Sequence, residues 1–235
     1  MKAVLLAAIV ALALSSPASQ APQLRLLFIG NSLTATNDMP AMVTRIGAAG
    51  GVTIMTVTIA VGGFSLDDHW QRGDALRAIE RRGWDVVILQ QGPSSLPESR
   101  TELRASVRRF DAAIRRAGAK IALYMVWPSK ARFADFDRAS ESYRVAAKDV
   151  DGILLPAGEA WRAAWRRDAT LPLYGDDQFH PSSLGTWLAA LTVAQGVTGR
   201  SAPVLAAALP GRTIDRSLAA LLKDAVADAF AVKTP

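Results

Sequence analysis

Only two histidines occur in the sequence, so a general base has few candidates. His180 lies in the segment YGDDQFHPSSLG, with Asp177 three residues before it and Pro181 directly after it. A carboxylate three residues upstream can bond one imidazole nitrogen and fix the tautomer, which leaves the other nitrogen free to accept a proton. Asp177 and His180 therefore form a candidate base with its orienting acid. Asp176 ranks second as the acid, and a capping or surface histidine is the structural alternative for His180.

A hydroxyl that this base could activate lies early in the chain, where an apolar stretch ends. The sequence LRLLFIGNSLT runs from a predicted buried strand into Gly30, Asn31 and Ser32. Ser32 would then stand at a helix N-terminus, whose N–H groups can hold a developing negative charge. Ser32 is the candidate nucleophile, and an N-capping serine is the alternative interpretation.

The elements that must position these residues follow from hydrophobic periodicity. Five apolar runs predict buried strands at residues 24–29, 53–60, 85–90, 120–126 and 152–155, separated by segments with helical spacing. A last helix is predicted over residues 214–230. The alternation predicts an α/β protein, a three-layer α/β/α sandwich with a parallel, flavodoxin-like central sheet of about five strands. Ligands bind such sheets beyond the carboxyl ends of the strands, where Ser32, Gly62-Gly63 and Gln91-Gly92 all fall.

Further ring side chains lie near this predicted site edge. His69 is in a helical pattern that continues toward Leu76 and Ile79, so we expect it on a helix surface or at the rim of the site. Trp70 and Trp127 lie close enough to line a pocket. The remaining tryptophans lie in apolar patterns typical of a core: Trp84, Trp161, Trp165 and Trp187.

Composition excludes several classes of function. The chain has no cysteine, which rules out disulfides, thiolate metal sites and a cysteine nucleophile. Its 27 Lys and Arg residues outnumber its 21 Asp and Glu residues, but the basic residues are dispersed along helical patterns. This favours a solvated, mildly basic surface over nucleic-acid binding. The sequence does not indicate an oligomeric state.

The N-terminus has the layout of a secretory signal peptide. Lys2 precedes an apolar run that is too short to span a membrane, and Ser16-Pro17-Ala18 offers small residues for cleavage. We therefore expect a signal peptide over residues 1–18, a single domain over residues 22–235, export to the periplasm or outside the cell, and no stable membrane anchor after cleavage.

Together these motifs resemble those of the SGNH, or GDSL, hydrolases, a family of serine esterases and lipases. The family's Gly-Asp-Ser-Leu motif is matched by Gly30-Asn31-Ser32-Leu33, and its Asp-x-x-His block by Asp177-Gln178-Phe179-His180. The resemblance implies a Ser32, His180 and Asp177 triad that uses no metal or organic cofactor. It also implies an oxyanion hole with N–H groups from Ser32 and Gly63.

One block departs from the family pattern. Relatives carry Gly-x-Asn-Asp after the third strand and use the asparagine as an oxyanion donor, whereas this chain reads Gly92-Pro93-Ser94-Ser95. Strict alignment puts Ser94 at the asparagine position, while Gln90 and Gln91 offer amides just before it. We favour Gln91 and keep Gln90 and Ser94 as alternatives.

The resemblance implies a serine esterase that works through an acyl-enzyme. With no evident lid or long apolar insertion, the sequence favours short acyl groups, acetyl first, on a small-molecule or polysaccharide ester, with carbohydrates ahead of other carboxylesters. Two alternatives stay open. One is an acyltransferase with the same triad, and the other is a carbohydrate-binding relative with little turnover.

Overall fold

The structure is a computed structural model that describes residues 23–205 and 207–231. The predicted signal peptide lies outside the described residues. Five strands, β1 to β5, form the main sheet: Gln23–Gly30, Thr53–Ala60, Val86–Leu89, Lys120–Tyr124 and Ile153–Leu155. They are all parallel and lie in the order β2-β1-β3-β4-β5. The predicted α/β class and number of strands in this sheet are confirmed.

The strands read as continuous apolar runs because the sheet is covered on both faces. Residues 26–29 of β1 and 86–89 of β3 are buried, as the interior position of these strands requires. At the sheet edge, β2 instead exposes Met55 and Val57. The centre of the sheet therefore provides a rigid base for the turns that follow β1 and β3.

Nine α-helices lie in the described residues, and they pack on the two faces of the sheet. Their bounds, from α1 to α9, are Ser32–Ala35, Met39–Ala49, Leu66–Arg72, Asp74–Glu80, Pro97–Arg116, Phe136–Asp149, Ala157–Arg167, Ser183–Thr198 and Arg216–Ala231. Helices α2, α7, α8 and α9 pack with one another, while α3, α4, α5 and α6 form a second group. The three-layer α/β/α arrangement predicted from the sequence is confirmed.

Two local predictions need correction. The helical pattern around His69 does not continue unbroken, because Gly73 adopts a left-handed conformation with φ 81° and ends α3 at Arg72. The predicted last helix begins later than residue 214, because Ile214 belongs to a small antiparallel hairpin formed by β6 (Ala207–Leu209) and β7 (Arg212–Ile214).

Within residues 23–205 and 207–231, no helix is both long and apolar enough to cross a membrane. The same residues contain no group of three or more histidine, aspartate or glutamate side chains arranged to hold a metal ion.

Candidate active site

The turn after β1 is built by the side chain of Asn31. Its Oδ1 accepts a hydrogen bond from the Leu33 N–H at 3.1 Å, which caps α1, and its Nδ2 donates to the Phe64 carbonyl at 3.0 Å. Asn31 is thus the N-cap, and the alternative reading of Ser32 as the capping residue is wrong. Ser32 becomes the first residue of the helix, so its N–H is one of those that a helix leaves without an intrahelical partner.

Gln90, which directly follows β3, fixes this turn from the neighbouring strand. Its Oε1 accepts hydrogen bonds from the Asn31 N–H at 2.9 Å and the Thr34 hydroxyl at 2.7 Å. Its Nε2 donates to Asn31 Oδ1 at 2.9 Å and to the Gln91 carbonyl at 2.6 Å. Both partners of Oε1 are donors, so the orientation of the amide is chemically determined. All four contacts are made in a buried environment, and Gln90 positions the turn of residues 30–34, called here the Ser32 turn.

The glycine at the end of β1 is required by this close packing. A Cβ atom at Gly30 would lie 2.5 Å from Gln90 Oε1 and 2.4 Å from Thr34 Oγ1. Such distances are far below van der Waals contact, so a larger residue would displace the Gln90 amide. The need for glycine therefore comes from the approach of two side chains, that of Thr34 in α1 and that of Gln90 just after the adjacent strand β3.

His69 is buried against the same turn and lies neither on a helix surface nor at the rim of the cleft, which corrects the sequence-based expectation. The side chain is buried, and its Nε2 lies 2.7 Å from the Gly30 carbonyl oxygen, to which it must donate. Burial lowers the pKa of His69, and the hydrogen bond to Gly30 opposes this only in part. Within the described residues, Nδ1 has no partner. His69 is thus a second buried support of the Ser32 turn.

The segment from Gly175 to His180 forms a tight loop before α8. The Gly175 N–H donates to the His180 carbonyl at 2.7 Å, and the Asp177 carboxylate accepts from the N–H groups of Phe179 and His180 at 3.0 and 2.8 Å. Trp127 supports the loop from below by donating its Nε1–H to the Phe179 carbonyl at 3.1 Å. The expectation that Trp127 lines a pocket is wrong, since its ring is fully buried and stacked on Trp161.

The two segments meet at the imidazole of His180. Its Nε2 lies 2.8 Å from Ser32 Oγ, and its Nδ1 lies 2.5 Å from Asp177 Oδ2. The bond from His180, together with the two backbone N–H groups, lowers the pKa of Asp177 to about 2. An ionised carboxylate requires Nδ1 to carry its proton, so Nε2 is the acceptor for the serine hydroxyl. Asp177 bonds the imidazole, and the exposed Asp176 does not.

An open cleft of about 500 Å³ lies over this constellation. Ser32, Gly63 and Gln91, which the sequence assigns to the oxyanion hole, all line it, together with Ser94. Gly63 has a φ of 77°, a left-handed conformation that glycine adopts without strain, and faces open space. Trp70 does not reach this cleft. It borders a separate depression beside Arg82 and Arg116.

Comparison with known proteins places this geometry in context. No family model matches the chain, and no curated protein matches it significantly. Among solved structures, a candidate SGNH hydrolase from Slackia heliotrinireducens matches with a TM-score of 0.63 and 28% identity over 74% of this chain and 98% of the other. The chain has the SGNH/GDSL hydrolase fold. This fold is that of serine ester hydrolases of the SGNH/GDSL type.

Two further matches agree with this assignment of the fold. A DUF4886 family protein from Bacteroides uniformis is 20% identical, with a TM-score of 0.72 over 89% of this chain and 95% of the other. An acetylxylan esterase from Geobacillus stearothermophilus is 17% identical, with a TM-score of 0.60 over 76% of this chain and 96% of the other. At these identities the likeness concerns the fold alone.

Gln90, Gln91 and Ser94 are the candidates to replace the asparagine of the SGNH/GDSL pattern as an oxyanion donor. They differ in whether a polar hydrogen remains free to donate. Gln90 donates both amide hydrogens, one to Asn31 Oδ1 and one to the Gln91 carbonyl. Ser94 donates its one hydroxyl hydrogen to the Gly92 carbonyl. Gln91 accepts from the Leu66 N–H through Oε1 and donates one hydrogen to Ser94 Oγ, and its second N–H has no partner in the described part of the chain. Geometry therefore favours Gln91, as the sequence did.

Sequence reasoning missed two residues that assemble the site. Gln90 was considered only as an oxyanion donor, whereas its amide holds the Ser32 turn. Asn37 donates to the Pro181 carbonyl at 3.1 Å and to Thr186 Oγ1 at 2.8 Å, which ties the segment after α1 to the chain following His180. Asn37 also adopts a left-handed conformation with φ 57°, which asparagine tolerates better than most residues. No sequence motif marks either contact.

Proposed function

We propose that this protein is an exported serine esterase that hydrolyses short acyl esters, acetyl esters of carbohydrates first. The observation that carries the proposal is the continuous contact from Asp177 through His180 to Ser32, at 2.5 and 2.8 Å. A serine hydroxyl bonded to an imidazole whose other nitrogen is held by a carboxylate is the arrangement that activates oxygen for acyl transfer.

The proposed reaction proceeds in two steps. His180 Nε2 accepts the Ser32 proton while Oγ attacks the ester carbonyl, and the oxyanion accepts hydrogen bonds from the N–H groups of Ser32 and Gly63 and from the Gln91 amide. The His180 imidazolium then donates this proton to the oxygen of the leaving alcohol. The ester bond breaks, and the acyl group remains on Ser32 as an acyl-enzyme. Water, deprotonated by His180, attacks the acyl-enzyme, and the proton returns to Ser32 as the acid leaves.

The lining of the cleft supports a polar substrate with a small acyl group. The cleft wall combines apolar side chains with polar and charged ones, namely Phe64, Leu96 and Phe179 beside Ser95, Ser99, Glu102 and Arg132. A long hydrocarbon chain along this wall would remove the charged groups of Glu102 and Arg132 from water, which is unfavourable. The fold likeness to an acetylxylan esterase supports acetylated polysaccharide as the first substrate to test.

The test is a panel of p-nitrophenyl esters of increasing acyl length and acetylated xylan, assayed with wild type and Ser32→Ala. We expect acetyl esters to be preferred and Ser32→Ala to reduce kcat by a factor of about 10⁴ or more. Exposed Ser201, which lies outside the cleft, supplies the control Ser201→Ala, which should retain full activity. The melting temperatures of both variants should match wild type.

Two results would overturn the proposal. Ester hydrolysis retained by purified Ser32→Ala would remove Ser32 as the nucleophile. Preferential transfer of the acetyl group to an added sugar acceptor instead of water would identify an acyltransferase with the same triad.

A further inference from the structure

A second cleft, of about 480 Å³, lies on the far side of the loop that carries His180. Its wall is largely aromatic and apolar, with polar groups at its margin: Phe133, Trp165, Leu171, Tyr174, Lys130 and Gln178. The sequence pattern assigned Trp165 to the core, but this side chain is only partly buried and borders the cleft. Neither the triad nor the oxyanion hole uses this feature.

The aromatic side chains of the second cleft are held rigidly. The Trp165 Nε1–H donates to the Leu171 carbonyl at 3.0 Å, and the Tyr174 hydroxyl donates to the Pro128 carbonyl at 2.7 Å. Their rings lie 5.5 Å apart with an interplanar angle of 34°, and the Phe133 ring lies 5.7 Å from that of Trp165. Because the polar edges of Trp165 and Tyr174 are already bonded, these side chains offer a ligand preorganised ring surface.

The two clefts share one thin wall. Ser129, Arg132 and Phe179 line the catalytic cleft, and their chain neighbours Lys130, Phe133 and Gln178 line the second cleft. The Lys130 N–H donates to the Gln178 carbonyl at 2.9 Å, which joins the two segments that form this wall. A substrate longer than one unit could therefore occupy both clefts by crossing the loop.

The positions of the proton donor and the oxyanion donors indicate which part of the substrate would cross the His180 loop. His180 must protonate the leaving oxygen, so the alcohol portion of the ester lies against the His180 loop. Gly63 and Gln91 line the catalytic cleft as the expected donors to the carbonyl oxygen. The second cleft, bordered by Gln178 of the His180 loop, is thus on the alcohol side of the reaction.

We infer that the aromatic second cleft binds a sugar unit of the alcohol portion of the substrate, next to the esterified unit. Sugar rings have apolar C–H faces that pack on aromatic rings and hydroxyls at their edges that need hydrogen-bond partners. Lys130 and Gln178 at the margin supply such partners. This inference rests on the proposed esterase function, since it takes the alcohol to be a carbohydrate.

The experiment compares Phe133→Ala with wild type on acetylated xylohexaose and on p-nitrophenyl acetate, which has no sugar. Phe133 is 48% exposed and lies outside the triad, so its truncation should leave the fold and the aryl ester kinetics unchanged. Loss of one stacking ring should raise KM for the hexaose about 5- to 20-fold with kcat nearly unchanged. Phe230→Ala is the matched control, because Phe230 is 37% exposed on α9 and does not border the cleft.

A second measurement separates this inference from the esterase proposal. Unacetylated xylohexaose titrated into Ser32→Ala should bind. Adding Phe133→Ala to this variant should raise the Kd for the hexaose by a similar factor. If wild type cleaves no ester but this binding is found, the proposed function fails and the sugar site stands. Equal KM values for wild type and Phe133→Ala on the hexaose would overturn the inference. So would a wild-type dimer that Phe133→Ala dissociates without changing KM, because the aromatic cleft would then be an interface between two copies of the chain.

Discussion

The two halves of the site are held by different kinds of contact. The Ser32 turn is buried, and Gln90, which lies 59 residues from Asn31 in the chain, bonds it through its amide. Asp177 and His180 lie in an exposed loop, the His180 loop, in which their side chains retain 52% and 34% of their accessible surface. Their mutual contacts span only three residues.

This difference separates stability from chemistry. Breaking a buried polar network leaves donors and acceptors without partners, which costs folding free energy as well as geometry. An exposed pair loses little stability when it is altered because water replaces the lost contact. Changes in the His180 loop should therefore reduce the rate alone, whereas changes beneath Ser32 should reduce both rate and stability.

After Ser32→Ala, the largest expected effect on rate comes from Asp177→Asn. The amide oxygen can still accept from the Phe179 and His180 N–H groups, but it can no longer stabilise the imidazolium or enforce the Nδ1–H tautomer. We expect kcat to fall by a factor of about 10³ to 10⁴, with the melting temperature near that of wild type. Asp176→Asn is the adjacent control and should retain wild-type kcat, and equal losses in the two variants would break the assignment of the acid.

The two adjacent glutamines should differ in the property that each change affects most, which is stability for Gln90 and rate for Gln91. Gln90→Leu leaves the Asn31 N–H and the Thr34 hydroxyl without an acceptor, which should lower the free energy of unfolding by about 3 kcal/mol. Gln91→Glu keeps an oxygen for the Leu66 N–H but removes the amide donor, so kcat should fall about 10²- to 10³-fold or more. Denaturant unfolding and aryl ester kinetics measure the two quantities. A stable Gln90→Leu variant, or a fully active Gln91→Glu variant, would remove the distinction between the two glutamines.

The smallest expected effect concerns His69 and acid. Because burial lowers the pKa of His69 below 6.5 in the folded protein, the unfolded chain binds a proton there more readily. The stability that a neutral His69 contributes is complete above pH 6.5 and is lost as the pH falls through the pKa of His69 in the folded protein. The charges of Asp68 and Asp74 raise the pKa of this imidazole, and the charge of Arg72 lowers it.

In His69→Gln the amide nitrogen can still donate to the Gly30 carbonyl but does not titrate. Melting temperatures of this variant should therefore decline less steeply than those of wild type as the solution is acidified. Parallel declines would show that the turn does not depend on a neutral His69.

Much of the fold and the meeting of Ser32 with His180 could be predicted because they depend on patterns that the sequence displays directly. Continuous apolar runs indicate buried parallel strands, and the ends of parallel strands meet at one edge. Ser32 at such an end, and a scarce histidine with an aspartate three residues before it, could therefore be paired although they are 148 residues apart.

The buried supports could not be predicted, because they depend on which side chains the folded sheet brings opposite one another. An amide at a strand end has the same sequence signature whether it faces a substrate or, as at Gln90, the backbone of the next strand. Helical periodicity placed His69 on one continuous helix, but Gly73 interrupts that helix. It also placed Trp165 on an apolar stripe, without showing that Phe133 and Leu171 leave a cleft beside it.

The central claim is that Ser32 is activated by an imidazole from the far end of the chain, and covalent labelling tests it most directly. Wild type is treated with a fluorophosphonate, digested, and analysed by mass spectrometry, with His180→Ala as the comparison. The account predicts one adduct per molecule on the peptide containing Ser32, and almost none in His180→Ala. An active enzyme that is labelled at another serine, or equal labelling of Ser32 in both proteins, would contradict it.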